Sequence, residues 1–246
     1  MAKPTAIVVG VGAELGVGAA VCRRFAAEGY HVVATGRTTD KLARVVDTIA
    51  KAGGSAQAVV ADATQEGDVV RLFDQVMALG AGFDAPDAVI FNAGINRPIE
   101  FRDVTAQQFE EFWRVCCFGG FLVGREAARR LVPLGRGTVI FTGASASLRG
   151  KPGFAQFAAA KAGLRMISQS MARDYGRLGL HVAHVVVDGG VNGERLRSRN
   201  PNILAERGED GLLGVDAIAE TYWQLHRQPR SAWTQEIDLR PFKETF

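Results

Sequence analysis

Ala6-Ile7-Val8-Val9-Gly10-Val11-Gly12-Ala13-Glu14-Leu15-Gly16-Val17-Gly18 joins a short apolar run to a glycine-rich turn, which leads directly into an amphipathic pattern spanning Leu15 to Glu28. A near-continuous β-branched run of this kind reads as a strand buried on both faces. Glycines let the backbone turn tightly and approach a bound group closely. The helix start that follows presents unpaired N–H groups and the positive end of a dipole, so strand, turn and helix together suit a pyrophosphate. A glycine-rich turn also serves plain strand-to-helix packing, but the flanking strand and helix favour the phosphate reading.

The same alternation continues outward from this stretch. Further strands are expected at His31 to Thr35, Ala56 to Ala61, Asp87 to Phe91, Thr138 to Thr142, His181 to Val187 and Glu236 to Leu239. Helical patterns lie between them at Lys41 to Ala52, Glu66 to Leu79, Ala106 to Leu131, Phe154 to Tyr175 and Asp216 to His226. Strands alternating with helices predict an α/β fold, a Rossmann-type doubly wound parallel sheet of about seven strands with helices on both faces. No internal repeat, low-complexity tract or linker interrupts the pattern, so residues 1–246 are expected to form a single domain. One long irregular stretch, Gly189 to Leu213, follows the sixth strand at the end where open α/β sheets bind ligands, and is the expected substrate lid.

Composition narrows the class. The chain has 246 residues, 47% of them hydrophobic, enough for a substantial core. Lys plus Arg number 29 against 26 Asp plus Glu, with no block of like charge that would bind nucleic acid. Cys22, Cys116 and Cys117 make an odd set that fits neither a disulfide framework nor zinc-ligand spacing, so no metal is expected and a reducing cytoplasm is the expected setting. The apolar run at Ala6 to Val9 is too short for a signal sequence, and nothing approaches the roughly 20 apolar residues of a membrane helix. A small-molecule substrate is the expected partner.

Gly12, Gly16 and Gly18 follow G-x-x-x-G-x-G rather than the tighter G-x-G-x-x-G, and two further motifs, "DA" at Asp62 to Ala63 and "NAG" at Asn92 to Gly94, fall at expected strand ends. With these motifs the chain resembles the short-chain dehydrogenase/reductase family over almost its whole length. The resemblance implies a nicotinamide cofactor held by Gly12, Gly16, Val17 and Gly18, with Asp62 and Ala63 near the adenine. It also implies that Asn92, Ala93 and Gly94 line the cofactor cleft, joined by Lys161, Gly189 and Val191. Val11 stands where the family usually has threonine, and Glu14 puts a carboxylate near the phosphates that must point away or weaken binding.

At the end of the second strand, an acidic residue would accept hydrogen bonds from the ribose 2′-OH of NAD and repel the 2′-phosphate of NADP. Here the sequence is Thr35-Gly36-Arg37-Thr38. With no carboxylate there and a planar guanidinium at Arg37, NADP(H) is the expected cofactor, although Arg37 also reads as a solvated loop arginine.

The family's catalytic signature is Y-x-x-x-K on one helical face, with a serine thirteen residues before the tyrosine and an asparagine on the preceding helix. In "PGFAQFAAAKAGL" Lys161 matches the lysine, while Phe157 takes the tyrosine position, Ala144 the serine and Cys116 the asparagine. Phenylalanine donates no proton, and a positioned general acid contributes about 10²–10⁴ in rate. Ala144 cannot hydrogen-bond a developing alkoxide, a loss of roughly 10²–10³ where such donors have been removed. Lys161, Asp188 and Ser145 are the catalytic candidates that remain. Asp188, in "DGG" after the sixth strand, replaces the family's proline and is read either as a turn residue or as a group at the cleft. Ser145 and Ser147 read as capping residues before catalytic ones, and Cys116 and Cys117 as small core side chains before nucleophiles.

Two functions fit. One is an NADP(H)-dependent oxidoreductase with altered proton transfer, acting on a carbonyl or a conjugated C=C bond, in which Arg195, Arg197 and Arg199 of "ERLRSRN" grip an acidic substrate tail or simply form a solvated helix face. The other is a non-catalytic NADP(H)-binding sensor or assembly subunit. Small residues dominate "CCFGGFLVGREAARRL" and "FAAAKAGLRMISQSMA"; the resemblance implies that these helices pair in a homodimer or homotetramer, whereas packing within the chain would account for them equally.

Overall fold

The computed structural model describes residues 2–244, so residues 1, 245 and 246 of the expected 1–246 domain lie outside the described residues. Seven parallel strands form one sheet in the order β3-β2-β1-β4-β5-β6-β7. These are β1 (Lys3–Val9), β2 (His31–Gly36), β3 (Ser55–Val60), β4 (Phe83–Phe91), β5 (Thr138–Thr142), β6 (His181–Val187) and β7 (Glu236–Leu239). Side chains alternate across the sheet. Ala6, Val8, Val32 and Ala34 face one layer of helices, α1 (Val17–Ala27), α2 (Thr39–Lys51) and α9 (Val215–His226). Ile7, Val9 and Val33 face the other, formed by α3 (Glu66–Met77), α5 (Gly119–Leu131) and α6 (Ala155–Tyr175). Burial on both faces explains the unbroken apolar runs.

Strand order reverses direction between β2-β1 and β4-β5, and the crevice beyond the carboxyl ends of β1 and β4 is where an open α/β sheet takes a ligand.

Three local expectations are corrected. β4 begins at Phe83 rather than Asp87, with register shifts against β1 between Lys3 and Thr5 and between Thr5 and Ala6 that accommodate Pro86. The helix expected over Ala106 to Leu131 is α4 (Ala106–Trp113) and α5 joined by a π-helical turn, Arg114–Phe118, that carries both cysteines. Its start is fixed by a capping box, in which Thr105 Oγ1 accepts from Gln108 N at 3.1 Å and Gln108 Oε1 accepts from Thr105 N at 3.0 Å. The stretch from 189 to 213 contains two short helices, α7 (Glu194–Arg199) and α8 (Ile203–Arg207), where an irregular segment was expected.

The small residues of α5 and α6 serve contacts inside the chain. A Cβ on Gly120 would sit 2.3 Å from Leu164, one on Gly124 would sit 2.7 Å from Met171, and one on Gly163 would sit 2.8 Å from Cys117 Sγ. Phe109, Trp113 and Phe121 remain exposed on this layer, as does Met166 of α6. All three cysteines are free and buried, and among the described residues no helix is long and apolar enough to cross a membrane.

Candidate functional site

A cleft of about 550 Å³ opens along the switch point, bordered by the glycine turn, the ends of β2, β4 and β5, the first half of α6 and α7. Its size falls within the range of small-molecule and cofactor sites.

The glycine turn is shaped by close backbone approaches. Gly10 has φ +94°, and a Cβ there would lie 2.3 Å from the Ala93 nitrogen. A Cβ on Gly36 would meet the Val11 carbonyl at 2.3 Å, and one on Gly18 would meet the Gly10 carbonyl at 2.9 Å. Gly12 differs: a Cβ there would meet nothing within 4 Å, because it borders the open cleft. No side chain caps α1, whose N-cap is Gly16, so its first-turn N–H groups are left for an anion. An open cradle facing an uncapped helix start fits a dinucleotide pyrophosphate. Glu14 does not interfere, since its carboxylate accepts from Thr48 Oγ1 at 2.9 Å and does not line the cleft.

Asn92, Ala93 and Gly94 line the crevice as the sequence led us to expect. Asn92 Nδ2 donates to the Gly10 carbonyl at 3.1 Å, and its Oδ1 accepts from Thr142 Oγ1 at 3.2 Å, which in turn accepts from the Tyr222 hydroxyl at 2.9 Å. Tyr222, fully buried on α9, thereby steadies the glycine turn through two intermediate side chains. Sequence reading missed it, because the three partners come from distant parts of the chain.

At one end of the cleft lie Arg37, Asp62 and Ala63. The Arg37 guanidinium is 65% exposed and stands 4.0 Å from the Asp62 carboxylate, whose other oxygen accepts from the backbone N–H and the hydroxyl of Thr64 at 2.9 Å each. Lys41, in the first turn of α2, lines the same end and was not singled out from the sequence.

At the other end Lys161, Phe157 and Ala144 come together. Lys161 is 5% exposed, donates from Nζ to the Thr142 carbonyl at 2.7 Å, and stands 5.9 Å from the centre of the Phe157 ring. Burial pushes its amine below the ordinary lysine value; the Cys116 and Cys117 thiols oppose that shift and the Arg195 guanidinium adds to it. Gly189 and Val191, after β6, also border the cleft, and Val191 bridges to Leu213.

Two expected catalytic residues stand elsewhere. Asp188 is fully buried and does not line the cleft; it pairs with Arg149 at 2.8 Å and Arg240 at 3.6 Å. Burial opposes its ionisation, but Arg149, Ser145 and Arg240 prevail and hold its carboxyl below the usual range. Ser145 sits with this cluster and is likewise absent from the cleft lining. Ser147 caps, its hydroxyl accepting from Ala144 N at 3.1 Å. Cys116 is fully buried behind the crevice, its sulfur accepting from Ile95 N at 3.5 Å, and burial pushes the Cys117 thiol up.

Comparison with known proteins agrees with this geometry. The short chain dehydrogenase family model matches residues 5–203. The chain is 29% identical to gluconate 5-dehydrogenase of Gluconobacter oxydans over 93% of its own length and 82% of the relative's. It is 34% identical to 3beta-hydroxysteroid dehydrogenase 1 of Eggerthella lenta over 75% of this chain and 70% of that one. Among solved structures, a short-chain dehydrogenase from Rhodopseudomonas palustris is 37% identical, covering 97% of this chain and 99% of its own, with a TM-score of 0.81. By cleft, topology and sequence, the chain belongs to the short-chain dehydrogenase family of NAD(P)-binding oxidoreductases.

Proposed function

We propose that this protein is an NADP(H)-dependent oxidoreductase whose proton chemistry is altered, acting on a carbonyl or a conjugated C=C bond. The observation that carries the reading is the meeting of Lys161, Phe157 and Ala144 at one end of a cleft whose other end holds Arg37 and Lys41. Arg37 and Lys41 supply charge for a 2′-phosphate, with Asp62 beside the adenine. Gly12 and the uncapped start of α1 receive the pyrophosphate, and Lys161 with Asn92 to Gly94 receives the nicotinamide ribose.

A bound nicotinamide supplies the hydride. Phe157 and Ala144 offer no proton, so the ammonium of Lys161 is the acid within reach of a substrate there. Reduction of a conjugated bond suits such a site, because the hydride goes to carbon and a proton from Lys161 or water completes the product. The segment 189–213, with α7 over the crevice, acts as the substrate lid of one domain. Exposed Phe109, Trp113, Phe121 and Met166 are the surface on which two copies would pair.

NADPH consumption measured across ketones, enones and acyl-thioesters tests the reading, with turnover of at least one conjugated substrate expected. The absence of hydroxyls at positions 144 and 157 favours a second reading, a cofactor-binding protein without catalysis, and tight NADPH binding with no turnover on the whole panel would select it.

A further inference from the structure

The reaction end of the cleft carries more positive charge than the protein neutralises. Arg195 and Arg199, four residues apart on α7, both line the crevice. Arg195 donates to the Gly94 carbonyl at 3.3 Å and Arg199 to the Asn96 carbonyl at 2.8 Å, so both reach across from the lid to the loop after β4. Neither forms an ion pair with a carboxylate among the described residues. Two carboxylates carried by neighbouring segments are already engaged, Glu206 by Asn200 at 2.8 Å and Glu111 by Arg97 at 3.3 Å. Arg197, on another face of α7, donates instead to Asn192 Oδ1 at 2.9 Å.

Arg195 and Arg199 both stay exposed at the crevice mouth; partial desolvation, and then the like charge of Arg199, push the Arg195 guanidinium below its ordinary value. Two solvent-exposed guanidiniums therefore stand at the crevice beside the buried Lys161 ammonium with no carboxylate partner among the described residues, a concentration of positive charge that favours an anion entering the cleft. Each guanidinium has five N–H donors, and one spent on a backbone carbonyl leaves a fork free for an oxyanion. The wall beside them is apolar, formed by Ile95, Val115, Ala144, Phe157 and Leu196.

We infer that the substrate of this cleft is an amphipathic anion, with a carboxylate or phosphate group seated between Arg195 and Arg199 and an apolar body lying against Ala144 and Phe157. The inference rests on the reading of the cleft as a cofactor and substrate site, and goes further by naming the charge and shape of what enters it. The arginines belong to the lid and already reach the loop at Gly94 to Asn96, so an anion seated between them is held by the lid directly, and a neutral compound of equal size lacks that contact.

The test uses the protein saturated with NADP+ and titrated by calorimetry with benzoate, phenyl phosphate and methyl benzoate, alongside NADPH titrations of the unmutated protein and an Arg195→Gln, Arg199→Gln double variant. At least one anion is expected to bind about tenfold or more tightly than the neutral ester, with that preference lost in the variant, since hydrogen bonds to charged groups are strong and each tenfold is one decade in Kd. NADPH affinity in the variant is expected to stay within about twofold, which also reports that it folds. Equal affinity for acid and ester, no saturable binding of either anion at about 10 mM, or an anion preference that survives the double substitution would overturn the inference. A variant that loses NADPH instead would also overturn it, by assigning the arginines to the cofactor. Failure of the cofactor reading shows separately, as an unmutated protein that does not bind NADPH.

Discussion

The Lys161 ammonium stands 5.9 Å from the centre of the Phe157 ring, one turn back along the same helix, and donates to the Thr142 carbonyl, its one hydrogen bond among the described residues. An aromatic face stabilises a cation by about 0.5–2 kcal/mol and a hydrogen bond from a charged donor adds about 1.5–3 kcal/mol, which at best offsets the several kcal/mol that burying a charge costs. Folding alone does not reward a lysine here; a ligand does. Lys161→Met should therefore stabilise the cofactor-free protein by about 1–3 kcal/mol, read as a rise in Tm of roughly 2–4 °C for each kcal/mol. It should also weaken NADPH by about tenfold or more. A lower Tm together with unchanged NADPH affinity would contradict the role.

Arg37 makes the cofactor choice testable. Its guanidinium is exposed at the cleft mouth with only a long 4.0 Å approach to Asp62, so it is available to a 2′-phosphate. Arg37→Ala should weaken NADPH by about ten- to hundredfold, the scale of a charge-assisted bond, and change NADH affinity little. Equal affinity of the unmutated protein for both cofactors would remove the basis of the preference.

How much of this was legible in the sequence follows from what each signal depends on. The strands at His181–Val187 and Thr138–Thr142 and the start of α6 were readable because burial on both sheet faces and a single helical period leave local patterns. The π-helical turn at Arg114–Phe118 was not, since it interrupts a period without changing the kinds of residue present, and α7 and α8 are too short to show one. At the site, Gly12, Asn92, Lys161 and Phe157 are brought to the cleft where motif spacing placed them. Asp188 was misplaced because its partner Arg149 lies 39 residues away in sequence, and a carboxylate at a strand end looks the same whether it faces a cleft or an arginine. Glu14 likewise turned to Thr48, a partner 34 residues distant that no local pattern announces.

Asp188 now carries a different prediction. Its carboxyl titrates below the ordinary value of about 3.9, so the stability it contributes is complete above roughly pH 4 and is lost as pH falls through the lower folded-state value. Arg149 is 35% exposed, which discounts the pair to about 1–3 kcal/mol. Asp188→Asn should show that deficit in urea unfolding at neutral pH and a shrinking deficit at about pH 3. NADPH affinity should be unchanged; a tenfold loss would return Asp188 to the site.

The central claim is that Phe157 and Ala144 mark a reaction centre whose two hydroxyl donors are gone. Both side chains line the cleft beside Lys161, so Phe157→Tyr would set a phenol next to a cation that lowers its pKa, and Ala144→Ser would add a donor for the substrate oxygen. The groups act as a unit, and the gain should exceed that of either single change. The most direct measurement is NADPH oxidation by a panel of small ketones in the parent, both single variants and the double variant, each shown to bind NADPH. The account predicts a double variant faster than the parent by about 10²-fold or more, the scale of a positioned acid. A double variant that folds, binds NADPH and turns over no ketone faster than the parent would contradict it.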